Sequence, residues 1–147
     1  MAIIMEMKRK VYDKLLEWKR LDHGTSAVLI NGARRVGKSF IVEEFAKREY
    51  RNYVMIDFAT AKDDVRITDT FKIYLADTKE FFKRLSAIFG KRFYERETLF
   101  IFDEVQKFPR AREAIKKLVA DGRYDFIETG SLVSIHENVK DILIPVA

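Results

Sequence analysis

Short apolar runs alternate with amphipathic stretches along this chain. Strands are predicted for the runs at 27–30, 53–58, 99–102, 124–129 and 142–146, and the run at 27–30 is continuously apolar, as in a strand that is buried on both faces. Between them, residues 39–50, 71–89 and 111–119 repeat their apolar positions at helical spacing. A further amphipathic leader helix is predicted over 6–21, where Val11, Leu15 and Trp18 recur at roughly helical intervals.

This alternation predicts the fold class. Helices between successive strands act as crossover connections, which produce a mostly parallel sheet covered on both faces. No repeat, linker or low-complexity segment interrupts the pattern, so residues 1–147 are interpreted as one α/β layered domain. Ligands of such sheets bind beyond the carboxyl ends of the strands. We therefore expect the chemistry in the loops that follow Ile30, Phe58, Phe102 and Thr129.

Composition narrows the classes of protein and site. Hydrophobic residues make up 48% of the 147 residues, enough to bury a core. The absence of cysteine excludes disulfides, thiolate nucleophiles and cysteine-based zinc sites. No run approaches the roughly 18 to 20 apolar residues of a membrane helix. A soluble, cytoplasmic protein is expected, and the net charge of +5 is too dispersed to identify a nucleic-acid partner.

A glycine-rich motif follows the first predicted strand. Gly32-Ala33-Arg34-Arg35-Val36-Gly37-Lys38-Ser39 matches the P-loop pattern, whose backbone N–H groups surround phosphate oxygens at the start of a helix. Lys38 is predicted to reach the β- and γ-phosphates, and the Ser39 hydroxyl to ligate Mg²⁺. The side chains of Arg34 and Arg35 are expected to face solvent. The predicted nucleotide-binding residues are Gly32, Arg34, Arg35, Val36, Gly37, Lys38, Ser39 and Phe40.

Two acidic residues end the third predicted strand. Leu99 to Glu104 has the form of a Walker B element, an apolar strand that delivers carboxylates to the edge of the sheet. Asp103 is predicted to hold Mg²⁺ through its water shell. Glu104 is predicted to orient or deprotonate the attacking water as a general base. ATP is favoured over GTP, because Asn138-Val139-Lys140-Asp141 carries its lysine one place late for a guanine-recognition element.

Other polar residues allow two interpretations each. Thr129 and Ser131, at the end of the fourth strand, are candidates for contact with the γ-phosphate or the water, or for helix capping. Arg110 and Arg112 either serve a neighbouring site or are exposed residues at a helix start, and the exposed position is expected. His23 and His136 are expected to be surface positions and not metal ligands.

The chain resembles a group of prokaryotic AAA+ ATPases in which a poorly characterised C-terminal region follows the AAA module. The resemblance is carried by the leader helix and by residues 32–39, 52–58, 100–131 and 138–146. It implies a three-layer P-loop fold with strand order 5-1-4-3-2, with ATP and Mg²⁺ held by Lys38 and Ser39. It also implies that Asp103 and Glu104 form the Walker B pair, with Thr129 or Ser131 near the sensor position.

The resemblance also indicates what this sequence lacks. AAA+ modules continue into a helical lid with a sensor arginine and take an arginine finger from a neighbouring subunit, and no residue here matches either arginine. The chain resembles the N-terminal part of longer relatives, so we expect ATP hydrolysis in the complete protein and weak or absent turnover in this part. A homo-oligomer or a protein partner is expected.

Two further hypotheses remain open. One is a nucleotide-dependent switch without significant turnover, with residues 60–97 as a docking insertion. The other is a nucleic-acid-binding ATPase, suggested by Lys8, Arg9, Lys10, Lys91, Arg92 and Arg96.

Overall fold

The computed structural model of the chain describes residues 2–32, 37–130 and 139–144. Six helices lie in this part of the chain: α1 (Ala2–Asp22), α2 (Lys38–Glu49), α3 (Phe58–Ala61), α4 (Val65–Ile73), α5 (Thr78–Phe89) and α6 (Pro109–Asp121). The strands are β1 (Ala27–Gly32), β2 (Asn52–Asp57), β3 (Thr98–Asp103), β4 (Asp125–Gly130) and β5 (Val139–Ile144). A short 3-10 helix, Val105–Lys107, follows β3. No helix in the described ranges is long and apolar enough to cross a membrane.

The five strands form one sheet in the order β2-β3-β4-β1-β5. Each of its four neighbouring pairs in the described part of the chain is parallel. This confirms the predicted α/β fold class and the strand order 5-1-4-3-2 that the resemblance implied. Because β1, β4 and β3 are adjacent and parallel, the carboxyl ends of these three strands lie at the same edge of the sheet.

Strand alternation builds a core on each face of the sheet. Leu99 and Ile101 pack with α1 and α2, in a cluster that includes Val11, Leu15 and Phe45. Phe100 and Phe102, one position out of phase, face α3–α6 on the opposite side. On that side, rings with fully buried side chains pack edge to face: Phe58, Phe71, Phe81, Phe102 and Phe126. The result is a three-layer domain.

The predicted helix over 71–89 is wrong as a single element. The structure has α4 and α5 there, separated at Tyr74 to Asp77. The Asp77 side chain accepts a hydrogen bond from the Glu80 N–H at 3.3 Å, and Asp64 similarly accepts one from Arg66 at 3.0 Å. The N-cap at Asp77 starts a new helix inside an apolar pattern that continues across the break, whereas the N-cap at Asp64 starts α4 ahead of the predicted beginning at 71. The short helix α3 was not predicted.

The other element bounds differ by a few residues. The leader helix begins at residue 2 instead of 6, and β5 spans Val139–Ile144 instead of 142–146. Residues 60–97 are integrated into the domain, because Ile67, Phe71, Phe81 and Leu85 are all buried in its core. Their burial weakens the interpretation of this segment as a docking insertion.

Candidate functional site

The turn from β1 to α2 carries the first part of the site. Gly37 precedes α2 with φ of 74°, a left-handed conformation that glycine adopts without the strain of a Cβ. Ala33, Arg34, Arg35 and Val36 lie outside the described residues. The Lys38 side chain is 2% exposed, and its Nζ donates a hydrogen bond to the Gly32 carbonyl oxygen at 2.9 Å. Lys38 therefore connects the two described ends of the turn.

Ser39 joins this turn to the end of β3. Its Oγ donates a hydrogen bond to Oδ1 of Asp103 at 2.8 Å, across 64 residues of sequence. Ser39 lies in the first turn of α2, whereas Asp103 is the last residue of β3. The structure thus brings together Lys38, Ser39 and Asp103 at the carboxyl edge of the parallel sheet, where ligands of this fold class bind.

A cavity of about 270 Å³ opens beside these residues. Its lining consists of Gly37, Lys38, Ser39, Phe40, Asp57, Asp103 and Glu104. Sequence reasoning did not identify Asp57, which is paired in register with Asp103 in the neighbouring strand β2. The sequence did contain an indication of this role, because Asp57 is an acidic residue at the end of a second apolar strand. Asp57 Oδ1 accepts a hydrogen bond from the Ala59 N–H at 3.0 Å and so caps α3.

Thr129 lies behind the acidic pair. It is fully buried, and its Oγ1 accepts a hydrogen bond from the Glu104 N–H at 3.1 Å. The same hydroxyl donates to Oδ1 of Asp103 at 2.5 Å. Thr129 therefore holds the end of β3 in this structure, through contacts that neither sequence interpretation described. Ser131 lies outside the described residues.

Glu104 follows β3 in an unusual conformation. Its φ of 53° is left-handed, which costs a residue with a Cβ about 1–2 kcal/mol. The Nε2 of Gln106 donates a hydrogen bond to Oε2 of Glu104 at 2.7 Å. Gln106 was also missed from the sequence, although it lies only two residues beyond the predicted base. The turn and Gln106 together fix the direction of the Glu104 carboxylate.

The remaining polar candidates divide between exposed and buried positions. Arg110 is exposed, as expected. Arg112 is only 6% exposed, so its predicted exposure is wrong. It lies among the buried residues of α6, which include Ala111, Ile115 and Leu118. His136 lies outside the described residues, and His23 is exposed in the turn after α1, as expected.

Two of the basic residues that suggested nucleic-acid binding, Lys91 and Arg96, interact with other residues of the chain. Lys91 Nζ donates to the Tyr53 carbonyl oxygen at 2.7 Å, and Arg96 forms an ion pair with Asp125. These contacts hold the two side chains against the domain. They do not favour a continuous cationic surface for nucleic acid.

The donors at the site fit Mg²⁺. Within the described ranges, no group of three or more His, Cys, Asp or Glu residues forms a metal cage. The Ser39 hydroxyl and the Asp103 carboxylate instead offer hard oxygen atoms from adjacent elements. Mg²⁺ is commonly held by one or two protein oxygens together with substrate phosphates and water. The residues present therefore suit that ion.

The fold and this edge of the sheet define an AAA-type P-loop domain. Residues 24–143 match a family model described as an AAA domain, and the chain belongs to that family of nucleotide-binding ATPases. The structure of C. elegans PCH-2 is among the similar solved structures, at 15% identity and a TM-score of 0.48. That match covers 97% of this chain and 41% of the PCH-2 chain. No curated protein matches the chain in sequence.

Proposed function

We propose that this chain binds ATP and Mg²⁺ in the cavity beside Lys38, and that the complete protein hydrolyses the ATP. The observation that carries the proposal is the 2.8 Å hydrogen bond from Ser39 to Asp103. It places a hydroxyl and a carboxylate together beside a glycine turn that opens a helix. Phosphate binding needs such a helix start, and Mg²⁺ needs such oxygen atoms.

The turn supplies the phosphate contacts in this proposal. Backbone N–H groups of the segment from Gly32 to Phe40, which includes Arg34, Arg35 and Val36, bind phosphate oxygens. Lys38 supplies the positive charge for the β- and γ-phosphates, exchanging its bond to the Gly32 carbonyl oxygen for one to phosphate. A buried lysine suits this role, because the surrounding protein excludes water that would weaken the attraction.

Ser39 and Asp103 are the residues that would hold Mg²⁺, the hydroxyl directly and the carboxylate through water. When bound, Mg²⁺ neutralises charge on the phosphates and orients them. Thr129 supports this role from behind the site, because its hydroxyl fixes one oxygen of Asp103. The other carboxylate oxygen of Asp103 is then held in a defined direction.

Glu104 is the proposed general base. Glu104 lines the cavity, and only 7% of the residue is exposed. A base so placed accepts a proton from the attacking water as the water oxygen bonds to the γ-phosphorus, while the bond from that phosphorus to the bridging oxygen breaks and ADP leaves. Thr129 orients the backbone of Glu104 and Gln106 orients its carboxylate. On this geometry Thr129, predicted as catalytic, acts as a positioning residue for both acids.

Turnover needs a further positive charge at the transition state. Arginine fingers contribute about 10³ to 10⁵ in rate where they have been measured. We propose that a second copy of the protein or another subunit supplies this arginine, so turnover by the isolated chain is weak. Homo-oligomerisation and the identity of any protein partner belong to this proposal.

Glu104→Gln separates binding from hydrolysis. This variant is expected to bind Mg-ATP with native affinity and to lose whatever hydrolysis the native chain shows. Glu113→Gln, an exposed position on α6, is the matched control and is expected to keep both properties. Undiminished turnover by Glu104→Gln would contradict its assignment as the base. Tight ATP binding by a native chain without turnover at any protein concentration would instead favour the nucleotide-dependent switch.

A further inference from the structure

The leader helix α1 runs alongside α2 in the same direction. Tyr12 donates a hydrogen bond to Glu49 near the end of α2, and its ring packs edge to face on Phe45 at 5.6 Å. Further along α1, Lys19 lies over the ring of Tyr50, which follows α2. Val11, Leu15 and Trp18 are buried in the core that this contact forms. The N-terminal part of α1 therefore lies next to the start of α2.

Lys8 occupies that position. Its Nζ lies 5.1 Å from the centre of the Phe40 ring. A Cβ built on Gly37 would lie 3.5 Å from Lys8 Cε and 3.7 Å from Lys8 Nζ. Lys8 thus reaches the glycine that opens α2 and the exposed ring of Phe40, which both line the proposed site.

The charge of Lys8 has no acidic partner in the described part of the chain. The ion pairs in that part of the chain all join other residues, and Lys8 makes no ion pair or hydrogen bond there. An ammonium group beside a helix start adds to the positive potential that the helix itself provides there. Lys8 is therefore placed to attract an anion at this end of α2.

We propose that Lys8 is a nucleotide-binding residue that binds the phosphate chain of ATP from outside the glycine turn. This inference rests on the proposed function, since it assumes that the same cavity takes ATP. It assigns a binding role to the leader helix, which also packs against α2 and one face of the sheet. Lys8 and Lys38 then hold the phosphates from different elements.

Binding of three ligands tests this role without turnover. The ligands are Mg-ATP, inorganic triphosphate and adenosine, each titrated into the native chain and into Lys8→Ala by calorimetry. Loss of one charge-assisted contact is expected to weaken ATP and triphosphate on the order of tenfold. Adenosine carries no phosphate, so its affinity is expected to be the same for both proteins.

Three further variants separate charge from packing. Lys8→Arg keeps the charge and is expected to restore most of the ATP affinity. Lys8→Gln keeps much of the stem on Phe40 and is expected to weaken ATP binding as Lys8→Ala does. Lys10→Ala, an exposed position on the same helix, is expected to bind ATP as the native chain does.

The outcomes distinguish this inference from the proposed function. ATP binding by Lys8→Ala at native affinity, with loss of binding by Lys38→Ala, would overturn the role of Lys8 alone. An equal loss of ATP and adenosine affinity in Lys8→Ala and Lys8→Gln would also overturn it. Lys8 would then stabilise the fold or bind the nucleoside part of ATP and not the phosphates. A native chain that binds neither ATP nor triphosphate would overturn the proposed function, and the role of Lys8 with it.

Discussion

Thr129 donates a hydrogen bond from its hydroxyl to Oδ1 of Asp103, and this bond ties the end of β4 to the end of β3. The same oxygen of Asp103 also accepts from Ser39. One carboxylate oxygen thus connects two strands and a helix at the proposed site. The acid predicted from an apolar strand is therefore held in place by residues that are distant in sequence.

Thr129→Val is expected to loosen this connection. Valine keeps the shape of threonine but leaves the buried Glu104 N–H without its acceptor and Asp103 with one donor fewer. We expect the free energy of unfolding to fall by about 1–3 kcal/mol, as for other buried groups that lose a partner. Urea denaturation measures this change. Thr129→Ser keeps the hydroxyl and is the control; a Thr129→Val protein as stable as Thr129→Ser would contradict the account.

The absence of a side chain at Gly130 is expected to leave the space that the Gln106 amide occupies. A Cβ at Gly130 would lie 2.4 Å from Oε1 of Gln106, so Gly130→Ala must displace the amide that holds Glu104. Gly130 does not have a positive φ, so its backbone conformation is open to alanine. The contact with Gln106 is therefore the main cost of the substitution. We expect Gly130→Ala to lower the free energy of unfolding by about 1 kcal/mol, the size of one lost hydrogen bond.

A double-mutant cycle checks the cause of that loss. In the Gln106→Ala background, the Gly130→Ala substitution is expected to cost almost nothing, because the displaced amide is already gone. Denaturation of the four proteins gives the coupling energy directly. Additive effects of the two substitutions would show that Gly130 does not act through Gln106.

The pH dependence of stability is expected to depend on Tyr50. Burial raises the pKa of the Tyr50 hydroxyl, and the adjacent Asp125 carboxylate, to which it donates, raises it further. The folded chain therefore keeps this proton above pH 10, whereas the unfolded chain releases it near the ordinary tyrosine pKa of 10.0. Stability is fully present below that pH and falls above it, by up to about 1.4 kcal/mol per pH unit.

Tyr50→Phe isolates this contribution. The variant is expected to be less stable than the native chain at pH 8, since Asp125 loses a donor, and to lose less stability between pH 10 and 11.5. Thermal or urea unfolding across that range measures the difference. Parallel pH profiles for the two proteins would contradict the assigned pKa shift.

The sequence predicted the sheet and much of the proposed site for a definite physical reason. Strands buried on both faces must be apolar throughout, so β1 and β3 were recognisable, and the glycine turn and Asp103 follow them directly. Asp57 and Gln106 were missed because their positions depend on the strand neighbours and on the turn after β3. Arg112 was placed at the surface because charge alone cannot show that α6 turns this position inward.

Helix breaks inside apolar patterns were equally hard to predict. Asp77 caps α5 inside residues 71–89, yet the phenylalanines on either side of it continue at spacings compatible with one helix. The contact of Lys8 with the start of α2 was also invisible, because it depends on how α1 packs against α2. Local sequence specified these elements, but only tertiary packing determined which residues meet.

Thermal melting with and without Mg-ATP tests the central claim most directly. The native chain is expected to gain on the order of 5 °C in melting temperature at an ATP concentration about a hundred times its Kd. Lys47→Ala, exposed on the same helix, is expected to gain as much, whereas Lys38→Ala is expected to gain nothing relative to its own ligand-free melting temperature. Equal gains for Lys38→Ala and the native chain would contradict the proposed site.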